Sequence, residues 1–434
     1  MLIGLKLTNY RSFANTQEFG YSASSDRTHD ATHCLITGLK SVPRLSRAAV
    51  VFGPNGSGKS NLISAFVALR DLVLFSTGMS ETKFRERHTP FHFGPSAHAP
   101  TAFEIDVYIG GVRYQYALAH DAERIHFERL LVYRTARPQR WFERAYDPAS
   151  NTETWKDFSP RFHGPRETWR KATREKALFL TTAAQLNSAQ LKPLMQWFEN
   201  GFRVLFPADL RDVGDMAMQL RDPQFKEHVI GLLRSIDIHV EDLRVAEADA
   251  ALAGQDTPRP GDARYPLHAV ANPSIELRYG QTPWKPLWLG PMADSAGTHQ
   301  LLGLFMPIVT AIADGGLLII DEFDRSLHPL VARLLLQLIN DPRVSRGGAQ
   351  LLATTHNSSL MDLEFLRRDE IWLIDLDSQR SSRLVSILKH HPRKHELIGK
   401  AYLRGRYGAI PTIRTELAVR SCAAEADTRR KSGN

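Results

Sequence analysis

Apolar and polar positions alternate or cluster in ways that divide the chain into elements. Met1 to Arg11 alternates like a strand. Arg47 to Phe52 is a short apolar run of the kind a buried strand carries, and Asn61 to Leu69 has the apolar spacing of a helix. Phe103–Tyr108, Val112–Leu118 and Phe127–Tyr133 read as antiparallel strands, with Gly110-Gly111 as a hairpin turn. Ala177–Phe198 and Asp222–Ile236 are amphipathic and predict helices. Asp249 to Pro266, with Gly254, Pro258, Pro260 and Gly261, predicts a flexible loop before a strand at Ser274–Tyr279. Leu301 to Ile308 and Leu330 to Ile339 predict helices. Leu317–Ile320, Gln350–Thr355 and Ile371–Ile374 predict buried strands. No heptad run or internal repeat is present, and the segment from Glu425 is polar enough to fray.

Four of these elements carry chemistry. Residues 53–60 read Gly-Pro-Asn-Gly-Ser-Gly-Lys-Ser, between the first buried strand and its helix. That is the pattern of a loop that cradles phosphates. Gly53, Gly56 and Gly58 let the backbone turn its N–H groups onto oxygens, and the helix dipole adds to them. Lys59 can reach β- and γ-phosphates, and the Ser60 hydroxyl can hold magnesium. Downstream, Leu317–Ile320 ends in Asp321-Glu322. Carboxylates at the carboxyl end of a buried parallel strand stand where ligands bind in open α/β sheets. Asp321 is suited to orient magnesium and Glu322 to polarise water. Gln350–Thr355 ends in His356-Asn357, and a neutral imidazole there can sense a γ-phosphate. Asp294-Ser295-Ala296-Gly297-Thr298 starts a helix whose N-terminus can receive an anion.

Composition narrows the setting. The 434 residues are 43% hydrophobic and 24% charged, ordinary globular material. Cys34 and Cys422 are far apart and form no metal spacing, which predicts a reducing compartment without disulfides. The longest uncharged apolar run, Leu301–Ala313, is too short to span a bilayer, so a cytoplasmic protein without a membrane partner is expected. Net charge is +8, and residues 381–434 alone hold 12 Lys/Arg against 4 Asp/Glu. A second basic stretch, Arg161 to Lys176, surrounds Trp169. Such stretches suit nucleic-acid phosphates, an acidic protein partner or plain solvation. Asp375-Leu376-Asp377 reads as a strand end and turn rather than a nuclease metal site.

In this order, the phosphate loop, the small-residue helix start, the Asp-Glu strand and the histidine resemble the head of ABC-type ATPases. Asp324-Arg325-Ser326-Leu327-His328-Pro329 stands where such heads carry their D-loop. The opening Leu5-Lys6-Leu7-Thr8-Asn9-Tyr10-Arg11-Ser12-Phe13 and the run Gly53–Asn61 are similar to the SMC and RecF-like branch. Phe103–Ile105 with Tyr114–Tyr116, Thr355-His356-Asn357 and Tyr402–Pro411 resemble the RloA-like group of AAA-family ATPases from bacterial anti-phage modules.

The resemblance implies an α/β P-loop NTPase head with an antiparallel side sheet and an inserted helical lobe. Residues 1–160 and 246–424 would form the two ATPase halves, 161–245 the lobe, and 425–434 a disordered tail. It implies an ATPase in which two copies sandwich ATP and Mg2+. Gly53, Pro54, Asn55, Gly56, Ser57, Gly58, Lys59, Ser60 and Asn61 would bind the nucleotide from one copy, with Arg11. Ser295, Gly297 and Thr298 would close from the other. Lys59, Glu322 and His356 would be catalytic, and Ser60 and Asp321 would hold the metal. A homodimer or larger homo-oligomer that senses phage infection and controls a separately encoded nuclease or toxin is the leading expectation. A RecF-like ATPase that clamps DNA, and a slow nucleotide-timed scaffold, are the alternatives. Such heads usually carry a glutamine loop, and neither Gln115 nor Gln139 has a fitting context.

Overall fold

The computed structural model describes residues 1–207, 218–246, 274–280, 287–290, 296–325, 327–393 and 396–432. In chain order, β1 (Leu2–Thr8) pairs with β2 (Gln17–Gly20), and β3 (Cys34–Ile36) with β4 (Arg44–Ser46). Next come β5 (Ala48–Phe52), α1 (Lys59–Phe75) and α2 (Glu81–Arg87). Five antiparallel strands follow: β6 (Thr101–Ile109), β7 (Val112–His120), β8 (Ile125–Tyr133), β9 (Gln139–Asp147) and β10 (Thr152–Trp155). Then come α3 (Arg166–Ala172), α4 (Phe179–Gln185), α5 (Lys192–Asn200), β11 (Phe202–Leu205), α6 (Pro223–Ser235) and β12 (Asp242–Ala246). The last part holds β13 (Ser274–Tyr279), β14 (Leu287–Leu289), α7 (Ala296–Asp314), β15 (Leu317–Ile320) and α8 (Pro329–Asn340). It ends with β16 (Gln350–Thr355), β17 (Ile371–Leu376), β18 (Ser382–Ser386), α9 (Ile398–Leu403) and α10 (Thr415–Ser432).

The fold is mixed α/β. A six-stranded sheet in the order β11-β15-β16-β5-β17-β18 is parallel except for β18. A seven-stranded antiparallel sheet runs β10-β9-β8-β7-β6-β1-β2. The inner strands of the first are apolar on both faces because both faces are covered. Ala49, Val51, Ile319 and Leu352 point into a core shared with the antiparallel sheet and α1. Val50, Phe52, Ile320 and Ala353 point into a second core with α7 and α8. The period of two along each strand thus assigns alternate residues to different cores. β6 alternates buried and half-buried, as a strand with one covered face does. Gly110 (φ 55°) and Gly111 (φ 82°) take the left-handed conformations of a two-residue hairpin turn.

Two side chains lock the layers together. Gln350 in β16 accepts from the Leu2 amide (2.6 Å) and donates to the Leu2 carbonyl (3.0 Å), joining the two sheets. Glu128 in β8 is fully buried. It accepts from Tyr116 (2.9 Å), from Arg144 Nε (2.9 Å) and from the Phe179 and Leu180 amides (2.7 and 2.9 Å). It therefore satisfies the first N–H groups of α4 and docks that helix on the sheet.

Three expectations need correction. The stretch Ala177–Phe198 is two helices, because Asn187 (φ 66°) breaks the chain between α4 and α5. Residues 161–245 are not a purely helical insertion. They hold β11, which pairs with β15, and β12, while α3–α5 share a core with the antiparallel sheet. The tail expected to be disordered from 425 continues as the second half of α10. The expected loop at 249–266 lies outside the described residues. Cys34 and Cys422 are both unpaired, and no helix among the described residues is long and apolar enough to cross a membrane.

Candidate functional site

Parallel strands β15, β16 and β5 are neighbours, so their carboxyl ends deliver Asp321, His356 and the 53–58 loop to one edge of the sheet. The loop turns tightly. A Cβ on Gly53 would land on the Ile374 carbonyl, and one on Gly58 on the Ser382 and Ser12 hydroxyls. Gly58 (φ 107°) caps α1, in a conformation that side chains rarely adopt. Gly56 (φ 74°), Asn55 and Ser60 are exposed, and Pro54 is half-buried. Ser57 is buried, and its amide donates to the Pro54 carbonyl (3.3 Å).

Lys59 is 6% exposed and folds back over this loop. Its Nζ donates to the carbonyls of Gly53 (2.8 Å) and Pro54 (2.9 Å), and lies 3.4 Å from His356 Nδ1. Burial pulls its ammonium down to about 8, against the opposing pull of Asp321, Glu322 and Asp324. Desolvation, then the Lys59 charge, holds the His356 imidazole below the ordinary histidine range, so it is neutral at pH 7.

Asp321 is 4% exposed, and Glu322 is half-buried with its side chain 39% exposed. One buried hydroxyl organises both. Thr354 Oγ1 donates to Asp321 Oδ1 (2.5 Å) and accepts from the Glu322 amide (2.9 Å). Glu322 has φ 50°, a left-handed conformation costing roughly 1–2 kcal/mol for a non-glycine residue. Thr354 holds that backbone in place, and its carbonyl also accepts from the Phe323 amide (2.9 Å). The Glu322 carboxylate pairs with Arg325 at 3.2 Å. His328 caps α8, which carries the chain from Asp324 back across the sheet.

The remaining candidates are placed as follows. Asn61 donates from Nδ2 to Ser12 Oγ (2.8 Å), so its amide braces the loop. Arg11 (φ 49°) is exposed along α1 and donates to Ser64 Oγ (3.1 Å), one turn beyond Ser60. Gly297 and Thr298 lie in the first turn of α7, and Ser295 lies outside the described residues. Gln115 is held by Glu104 and Tyr133 within the antiparallel sheet, and Gln139 begins β9. Asp375 faces Arg383 (3.6 Å), and Asp377 accepts from the Gln379 and Ser381 amides of a hairpin turn, as the sequence predicts. No group of three or more His, Cys, Asp or Glu side chains that could by themselves hold a metal ion is present among the described residues. Sequence reasoning missed Ser12, Ser382 and Thr354. A hydroxyl before His356 was visible, but its partners were not.

A protein-family model described as AAA domain, putative AbiEii toxin, Type IV TA system matches residues 48–362. No curated protein matches the chain. Among solved structures, the SMC head domain from Thermotoga maritima is similar over 89% of this chain and 98% of its own. The identity is 13% and the TM-score 0.40. The structure of cbiO1 from Clostridium perfringens, part of the ABC transporter complex cbiONQ, is similar over 93% of this chain and 96% of its own. Here the identity is 10% and the TM-score 0.33.

Proposed function

The chain belongs to the family described as AAA domain, putative AbiEii toxin, Type IV TA system; on that premise we propose that it binds ATP with magnesium and hydrolyses it. The observation that carries this reading is the meeting of Lys59, Asp321 and His356 beside the glycine loop. The donor set fits a polyphosphate. It combines glycines with no room for a side chain, a helix N-terminus, and a buried ammonium resting on backbone carbonyls. Buried Asp321 and exposed Ser60 fit a hard cation.

Each residue then has a task. Lys59 exchanges its two carbonyl contacts for phosphate oxygens and regains its full charge. The loop amides and the α1 N-terminus bind the remaining oxygens. Ser60 and Asp321 hold Mg2+, which neutralises charge on the β- and γ-phosphates when bound. Glu322 takes a proton from the attacking water. Its exposed pair with Arg325 is worth about 0–1 kcal/mol, so freeing it costs little. Neutral His356 contacts the γ-phosphate side.

The finer reading is that two copies close on the nucleotide, the α7 N-terminus of one completing the site of the other. Gly297 and Thr298 would supply the missing donors there. The resemblance to ABC-type heads supports this. The family's description, a putative toxin of a type IV toxin–antitoxin system, supports a role in a two-component module; control of a separately encoded effector in phage defence rests on the resemblance to the RloA-like group.

Phosphate release with Mg-ATP tests the core of the proposal. Glu322→Gln is expected to lower turnover at least about 100-fold while ATP binding persists. Lys59→Ala is expected to weaken ATP binding itself. Wild-type protein that binds no Mg-ATP would remove the reading.

A further inference from the structure

Ser12, Ser382 and Asn61 come from three distant parts of the chain and meet at the back of the phosphate loop. Ser382 Oγ lies 2.6 Å from the Ser57 carbonyl and 2.7 Å from Ser12 Oγ, and Asn61 Nδ2 lies 2.8 Å from Ser12 Oγ. A hydroxyl has one proton, a carbonyl can only accept and an amide NH2 only donates. These constraints fix one direction. Asn61 donates to Ser12, Ser12 to Ser382, and Ser382 to the Ser57 carbonyl. Each bond in such a chain polarises the next. The Ser382 amide also donates to the Ser12 carbonyl (2.7 Å), and the neighbouring Ser381 hydroxyl accepts from the Ala14 amide (3.0 Å). The β18 end is therefore sewn to the 12–14 turn by backbone as well as side chain.

We infer that Ser382, backed by Ser12, is a positioning residue for the phosphate loop. A trans peptide is planar, with C=O and N–H pointing opposite ways. Holding the Ser57 carbonyl outward therefore aims the Gly58 N–H inward, toward the side where the loop receives its anion. The glycine at 58 serves the same contact, since a Cβ there would occupy the space of the Ser382 and Ser12 hydroxyls. Ser382 is 1% exposed, so water cannot replace its hydroxyl without rearrangement. The hairpin of β17 and β18 thus connects the C-terminal part of the chain to the orientation of one loop amide.

This inference rests on the proposed nucleotide reading, and two measurements separate their failures. Hydrogen exchange of a peptide covering 53–61, without nucleotide, reads the clamp alone. Ser382→Ala is expected to speed exchange there about tenfold while β5 and β16 stay protected as in wild type. Calorimetric titration with Mg-ATP reads the positioning. Ser382→Ala and Ser12→Ala are each expected to weaken binding, the former about tenfold. The double variant is expected to be no weaker than Ser382→Ala alone, because both act through one chain of bonds. Unchanged exchange in 53–61, wild-type affinity in Ser382→Ala, or additive losses in the double variant would each overturn the inference. Wild-type protein that fails to bind Mg-ATP would instead remove the nucleotide reading, with the exchange result still judging the clamp.

Discussion

One proton on Lys59 controls the proposed phosphate site. Burial leaves the free ammonium with a pKa of about 8, and a bound polyphosphate would raise it again. Binding above pH 8 must therefore take up a proton. ATP affinity is expected to fall by about tenfold between pH 7 and pH 9, with matching proton uptake. Calorimetry in buffers of different ionisation enthalpy measures both. A flat profile would contradict the placement of Lys59 at the anion. The stability sign is separate. Between about 8 and 10.5 the unfolded chain binds a proton that the native one has lost, so burial of Lys59 opposes folding below pH 8 and this penalty lifts above it. The motif residues were legible because their chemistry lies in local spacing. Ser382 was not, because its partner Ser12 stands 370 positions away and a serine has no pattern of its own. The sequence marks Asn61 as a nucleotide contact but gives no sign that one of its amide hydrogens goes to Ser12.

Among the elements, the antiparallel sheet carries a buried imidazole that links stability to pH. His120 ends β7, fully buried beside Phe84, Phe103 and His88, with Nδ1 3.1 Å from the Asp121 carbonyl. Burial holds its pKa down to about 4 against the opposing hydrogen bond to the Asp121 carbonyl, with His88, Asp121 and His126 as titratable neighbours of smaller effect. In the unfolded chain the ring titrates near 6.5, so below that pH the unfolded state binds a proton the native state refuses. This one group is expected to cost about 2 kcal/mol of stability between pH 7.5 and pH 5. Urea unfolding of wild type and His120→Gln at both pH values checks it. The variant should lose correspondingly less, and equal losses would contradict the assignment. The long strands around His120 were legible because apolar and polar residues alternate over much of each. β11 was missed because four residues between helices show no period. Apolar spacing continued through the turn at Asn187, so the helix break there was hidden as well.

At the scale of the whole molecule, the order of motifs along the chain made the α/β architecture and its side sheet legible. What it did not reveal is how thoroughly the intervening segment is woven into the body. β11 extends the central sheet, and Glu128 ties α4 to the antiparallel one. Those contacts depend on strand order, which no local pattern encodes. The same architecture leaves the phosphate loop at one edge of the sheet and the α7 N-terminus as the surface proposed to complete a second copy's site. The most direct test of that claim is the mass of Glu322→Gln by light scattering with saturating Mg-ATP. The account predicts a doubling from 48.9 kDa that Lys59→Ala abolishes. A strictly monomeric Glu322→Gln that still binds ATP would contradict it.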